Sequence, residues 1–292
     1  MASQDEPKIW IRSNCPLFWS FLNKKAQTNI PKGLIEYISS GTPSEIGTGR
    51  HNLTIIERYL TDLKNLCGLK TVGDTYRRDL SSVDPANRLA ELSCEIALCG
   101  SVGNLSSGKL TLRPLTGKGT YSDCLFNLHG FDIFAEAKRY VDPWPYIEKL
   151  GDGVKEDVPY SRSITQTPSG EKANDSARPR SMDLRRKLRD VHRQFPEKSL
   201  NILFLFHYSP GGGLIYPKRY ITQALLGDSN SSKNEREFVM ESDGLFYIGE
   251  WRNISACYLS RFNPESGVIF PIVWKNPRAQ LEIPKSVLEA LS

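Results

Sequence analysis

With 292 residues, 39% hydrophobic and 10% aromatic, the chain has the make-up of a globular protein with one large or two small domains. No apolar run approaches bilayer length, and the opening MASQDEPKIW is polar and acidic, so neither a membrane protein nor an exported one is expected; the reading is cytoplasmic. Net charge is +5, and residues 178–193 alone hold seven Lys/Arg against two Asp, which confines the basic character to one segment and points to a polyanion partner.

Trp10, Phe18, Trp19 and Phe21 mix with polar residues near the N-terminus. Pro16 and Pro31 suit first-turn positions of short helices over 16–25 and 31–39. Residues 44–52, with two glycines, read as a loop. From Leu53 onward Ile55, Ile56, Leu60, Leu63 and Leu66 recur at helical spacing, and Gly68 supplies a stop. Asp84-Pro85 forms an N-cap and first-turn proline for a helix over 86–98 that ends at Gly100. Glu91 and Glu95, four apart, share one of its faces. Residues 1–80 thus read as a helical region packed on a core formed by 81–292, with some freedom for a single continuous domain.

Residues 109–115 (KLTLRPL) read as a first strand, with a glycine-bearing turn at 116–120. Residues 121–140, YSDCLFNLHGFDIFAEAKRY, read as two strands joined by a tight turn at His129-Gly130. Alternation puts Phe134, Glu136, Lys138 and Tyr140 on one face of the second strand. Asp123 shares a face with Leu125 and Asn127, and the antiparallel return can bring it near Glu136. Two carboxylates beside an ammonium can grip a divalent cation through hard oxygen ligands. The plain structural alternative is a Glu–Lys pair on an edge strand with an unrelated Asp nearby.

Asp142-Pro143-Trp144-Pro145-Tyr146 reads as a rigid aromatic turn, and residues 151–177 as a long polar loop that leaves from the motif strand, suited to a lid or a DNA-contacting segment. Residues 181–195 form an amphipathic helix with Leu184, Leu188, Val191 and Phe195 on the buried stripe. LNILFLFHY, 200–208, suits a strand covered on both faces. Gly211-Gly212-Gly213 is a turn rather than a phosphate cradle, and no small organic cofactor is expected. A short helix is expected near 220–226, a surface loop at 227–237, strands at 245–248, 256–262 and 268–273, and a terminal helical turn at 287–291. The six cysteines show no CxxC pair and no zinc-like spacing, and read as reduced, buried thiols.

Asp123, twelve intervening residues, and Glu136-Ala137-Lys138 together resemble the active-site motif of the PD-(D/E)XK nuclease superfamily, the restriction-endonuclease-like fold. Ser122 stands where the family name has Pro. The order helix, three strands, helix, strand is similar to the αβββαβ core of that superfamily. The resemblance implies an α/β (α+β mixed) chain, with a central mixed sheet flanked by helices, a helical N-terminal region and extra C-terminal strands. It implies a metal-dependent endonuclease of the restriction/defence or repair type acting on DNA, with Mg²⁺ held by Asp123, Glu136 and the Ala137 carbonyl, and Mn²⁺ as a substitute. Lys138 would orient or deprotonate the attacking water, and the upstream helix would add an acid, Glu91 first and Glu95 second. Arg178, Arg180, Arg185 and Arg189 are the first candidates for nucleic-acid contacts. A two-fold homodimer would suit cutting of both strands. The other class of reading is a catalytically silent nucleic-acid-binding or scaffold module on the same fold.

Overall fold

The run LNILFLFHY is apolar at both alternating sets of positions because both faces of that strand are covered. In the computed structural model, which describes residues 6–39, 49–81, 86–116, 119–141, 181, 183–208, 215–227, 244–263 and 267–292, it forms β4 (Leu200–Tyr208). Ile202, Phe204 and Phe206 enter one apolar core, while Leu203 and Leu205 enter another on the far side of the sheet.

Among the described residues six strands pair in chain order: β1 (Thr111–Leu112), β2 (Cys124–Leu128), β3 (Phe131–Val141), β4, β5 (Ala256–Asn263) and β6 (Gly267–Lys275). The pairs β3·β4 and β4·β5 are parallel; the others are antiparallel. Parallel neighbours need crossover connections, and the described parts of both pack on one face. Leu184 and Leu188, from helical backbone at 183–188, and Val191 and Phe195 beside the short 3₁₀ turn Val191–Gln194 fill that core with Ile221, Ala224 and Leu225. The last three belong to α8 (Ile215–Leu226), so called after the seven helices that precede β1.

Those helices cover the opposite face: α1 (Glu6–Asn14), α2 (Pro16–Phe21), α3 (Lys24–Thr28), α4 (Lys32–Ser39), α5 (Gly49–Cys67), α6 (Leu69–Ser81) and α7 (Ala86–Leu105). The C-terminal α9 (Lys285–Ala290) joins them. Phe18, Leu60, Tyr76 and Ile96 lie in the same core as Ile133, Ile202 and Tyr258, so the N-terminal helices and the sheet share one apolar interior. Tyr258 stacks on Phe204 at 5.3 Å, and Phe270 tilts against Phe204 at 4.9 Å. The chain is a mixed α/β protein with a helical N-terminal region. Among the described residues no helix is long and apolar enough to cross a membrane.

Several elements depart from the expectations. Helices α1 and α6 are not among the expected elements: α1 buries only Pro7 and Ile11 and is held by packing, whereas α6 does carry an apolar stripe at helical spacing, Val72, Tyr76 and Leu80, all buried. Gly68 (φ 84°) does end α5, but α6 starts at the next residue. Residues 49–52, expected in a loop, belong to α5. Helix α7 runs through Gly100 to Leu105 because that glycine serves contact, not termination: a Cβ there would lie 2.6 Å from Tyr59 Cδ1. The first strand shrinks to two residues, since Arg113 turns out of it with φ 45°. Residues 245–247 form a 3₁₀ turn instead of a strand, with Leu245 and Phe246 buried. Asp84 and Pro85, the loop expected at 151–177, the 142–146 turn and the glycines at 211–213 lie outside the described residues.

Candidate active site

The β2–β3 hairpin turns at His129 (φ 52°) and Gly130 (φ 84°), the two consecutive positive φ values of a type I′ turn. That turn sets the register Leu128↔Phe131 through Cys124↔Ala135. One step further side chains join the backbone ladder. Asp123 donates its N–H to Ala135 O and to Glu136 Oε2, both at 3.1 Å, while its own Oδ2 accepts the Ala137 N–H at 2.7 Å. Lys138 Nζ meets Glu136 Oε1 at 2.5 Å. Alternation along β3 sends Ile133 and Ala135 into the helix-covered core, and Phe134 and Tyr140 into the other. Glu136 and Lys138 therefore face the side of the sheet that carries the basic segment. Asp123, Glu136, Ala137 and Lys138 are brought together.

Glu136 is 1% exposed, whereas the Lys138 side chain keeps 31%. Burial pushes the Glu136 carboxyl up to about 7 against the opposing pull of Lys138. Burial, then the Glu136 charge, holds Asp123 well above the usual carboxylate range. Burial alone would lower Lys138, but Glu136 and Asp123 beside it prevail and keep it above the ordinary lysine value. The ammonium is thus a fixed cation at neutral pH, and proton abstraction by Lys138 does not suit it.

Of the two acids on α7, Glu91 is exposed, and Glu95 is the one whose charge reaches Asp123, Glu136 and Lys138. Glu95 grips Arg113 in bidentate fashion, Nε–Oε1 2.7 Å and Nη2–Oε2 3.1 Å, and Asp79 meets the same guanidinium at 2.6 Å. Arg113 also donates to Thr75 O at 3.2 Å and lies 5.2 Å from the Tyr76 ring centroid. Nothing in the sequence singles out Arg113 or Asp79. They come together only through the fold.

The basic segment docks directly beside Asp123. Thr120 Oγ1 donates to Arg193 O at 2.7 Å and the buried Ser122 Oγ to Gln194 O at 2.5 Å. Ser122, next to Asp123 in sequence, thus has a specific partner. Arg189 is exposed, as are Arg186 and Lys187. Arg185 instead sends Nη2 to Gln223 O of α8 at 2.6 Å, which ties it to packing. Lys187 pairs with Asp183 at 2.9 Å and Arg193 with Asp190 at 3.3 Å. Arg178 and Arg180 lie outside the described residues.

Among the described residues no group of three or more His, Cys, Asp or Glu side chains is arranged to hold a metal ion by itself. The acid pair nonetheless offers oxygen donors to a hard cation: the buried Glu136 and half-buried Asp123 carboxyls lie beside one ammonium, and Glu95 and Asp79 beside one guanidinium, so a cation that displaced the protons held by the first pair would meet two carboxylates. A surface cleft of about 560 Å³ beside α6, lined by Asn23, Asp74, Arg77 and Arg78 among others, shares no residue with this site. The six cysteines are free, and burial raises the thiols of Cys15 and Cys94 to about 12, which makes them inert. No family model, characterised protein or solved structure matches the chain.

Proposed function

We propose that the protein is a metal-dependent nuclease that hydrolyses phosphodiester bonds in DNA, with its site at the Asp123–Glu136–Lys138 cluster. The supporting observation is the convergence at Asp123, whose carboxylate accepts the Ala137 N–H while its own N–H donates to the Glu136 carboxyl, itself paired with Lys138. A core built only for stability gains little from one buried and one half-buried acid with raised pKa values beside a lysine. The arrangement agrees with the resemblance to the PD-(D/E)XK superfamily.

Asp123, Glu136 and the Ala137 carbonyl would hold Mg²⁺ or Mn²⁺. When bound, the cation polarises a phosphate oxygen and neutralises charge near the scissile bond. Lys138, held protonated, donates hydrogen bonds to the water or the phosphate and balances the negative charge that grows on the phosphoryl oxygens as water adds, one P–O ester bond breaks and the water's proton passes to the leaving oxygen. The products are a phosphomonoester and a hydroxyl end. Arg189 and the neighbouring cations docked by Thr120 and Ser122 approach the flanking phosphates, with salt-dependent affinity.

The test is cleavage of supercoiled plasmid, linear duplex, single-stranded DNA and RNA with Mg²⁺ or Mn²⁺. Cleavage of DNA by the parent chain is expected, with loss in Asp123→Ala and Lys138→Ala and retained binding in both. Variants that cut as well as the parent would remove the site assignment. Salt-sensitive binding without cleavage on any substrate would make the chain a silent binding module.

A further inference from the structure

Arg113 is bound to the acid site from two directions. Its N–H, turned by a φ of 45°, donates to Asp123 O at 2.8 Å. Its guanidinium takes both oxygens of Glu95 and one oxygen of Asp79. A left-handed backbone is uncommon for a residue with a long side chain and is retained where the surroundings over-determine it. Here those surroundings are two carboxylates, the Thr75 carbonyl, the Tyr76 ring and the Asp123 carbonyl. Glu95 sits on α7 near enough to act electrostatically on Asp123 and Glu136. Yet neither of its oxygens is left to swing toward them, because a planar fork with five donors matches a carboxylate edge to edge.

Resting on the nuclease reading, we infer that Arg113 is a positioning residue that fixes the Asp123 backbone and withholds Glu95 from the metal position. Glu95 on this view is a carboxylate near the cation without being its ligand. Lysine at 113 would keep the charge but lose the two-point grip. A neutral residue would free a full negative charge beside the acid pair.

The probe is Mn²⁺ alone, titrated calorimetrically into the full chain, with circular dichroism to follow folding of each variant. Glu95→Gln leaves Arg113 paired to Asp79, and its Mn²⁺ affinity is expected to fall by no more than about tenfold, the loss of one unit of attraction without loss of a ligand. Arg113→Gln is expected to bind Mn²⁺ roughly tenfold more tightly, since the released carboxylate adds one unit of attraction at short range. That gain should vanish in the Arg113→Gln/Glu95→Gln double variant, and Arg113→Lys should fall between. Loss of Mn²⁺ binding in Glu95→Gln would make Glu95 a ligand and overturn the inference even if Arg113→Gln cannot fold. A parent-like Arg113→Gln, or a gain that survives in the double variant, would overturn it too. A parent chain that binds no Mn²⁺ would instead remove the metal reading itself, and the inference with it.

Discussion

The clearest consequence of the buried acid pair is a dependence of stability on pH that one substitution should flatten. Folding raises the Glu136 carboxyl from its ordinary 4.5 to about 7, so the folded state favours the neutral form. Stability from this group is fully present below about pH 4.5 and is lost as pH rises through about 7. A displacement of that size corresponds to roughly 3 kcal/mol, and with the group almost wholly enclosed little of it is screened away. Glu136→Gln keeps an acceptor for the Asp123 N–H and cannot ionise. Urea unfolding of parent and variant in chelator, at steps from pH 4.5 to 8.5, isolates the effect. The parent should lose roughly 3 kcal/mol more than the variant over that interval. Asp123 shifts in the same direction and loses its nearest like charge in the variant, so the difference should not fall below this size. Superimposable pH profiles would show that Glu136 carries no raised value and would refute the electrostatic account of the site.

Mn²⁺ at about a hundredfold excess over its Kd should stabilise the parent by about 2.7 kcal/mol, seen as a rise in Tm, and Asp123→Asn should abolish that rise. Lys138→Ala should lower turnover about 10²- to 10³-fold with little change in DNA affinity, as expected for a group that meets charge formed only in the transition state. Thr120→Val with Ser122→Ala removes two hydrogen bonds to the basic segment, each worth ~1 kcal/mol, and KM for duplex should rise more than kcat falls. Gly100→Ala should destabilise the chain by about 1–2 kcal/mol in urea unfolding despite alanine's better helix propensity, because the new methyl meets the Tyr59 ring. A more stable Gly100→Ala protein would mean that α5 and α7 separate freely.

What could be read in advance follows from which signals are local. The period-2 alternation of 131–140 and the His129-Gly130 turn together determine which face Asp123, Glu136 and Lys138 occupy, and both are properties of adjacent residues. The buried stripe Leu184, Leu188, Val191 and Phe195 was legible for the same reason, and all four are enclosed. By contrast Gly100 looks like a helix stop until Tyr59, forty-one positions earlier, is seen packed on it. The choice between Glu91 and Glu95 turned on Arg113, whose partners Asp79 and Glu95 come from two different helices. Arg185 carries the same charge as Arg189, and only the position of α8 shows that it is occupied by a carbonyl. Long-range packing decided each of these cases, and no spacing rule encodes it.

The Asp79–Arg113–Glu95 bridge also bears on how the chain can be divided. Asp79 and Thr75 come from α6, the last helix of the stretch that resembles a separable N-terminal module, yet their partner sits one hairpin away from Asp123. Trimming the chain back to the sheet and α7 would strip the guanidinium of half its anchors and lay bare the apolar faces now covered by Phe18, Leu60 and Tyr76. The described helices of the first eighty residues buttress the Asp123 corner, and a truncated version would forfeit that support along with them.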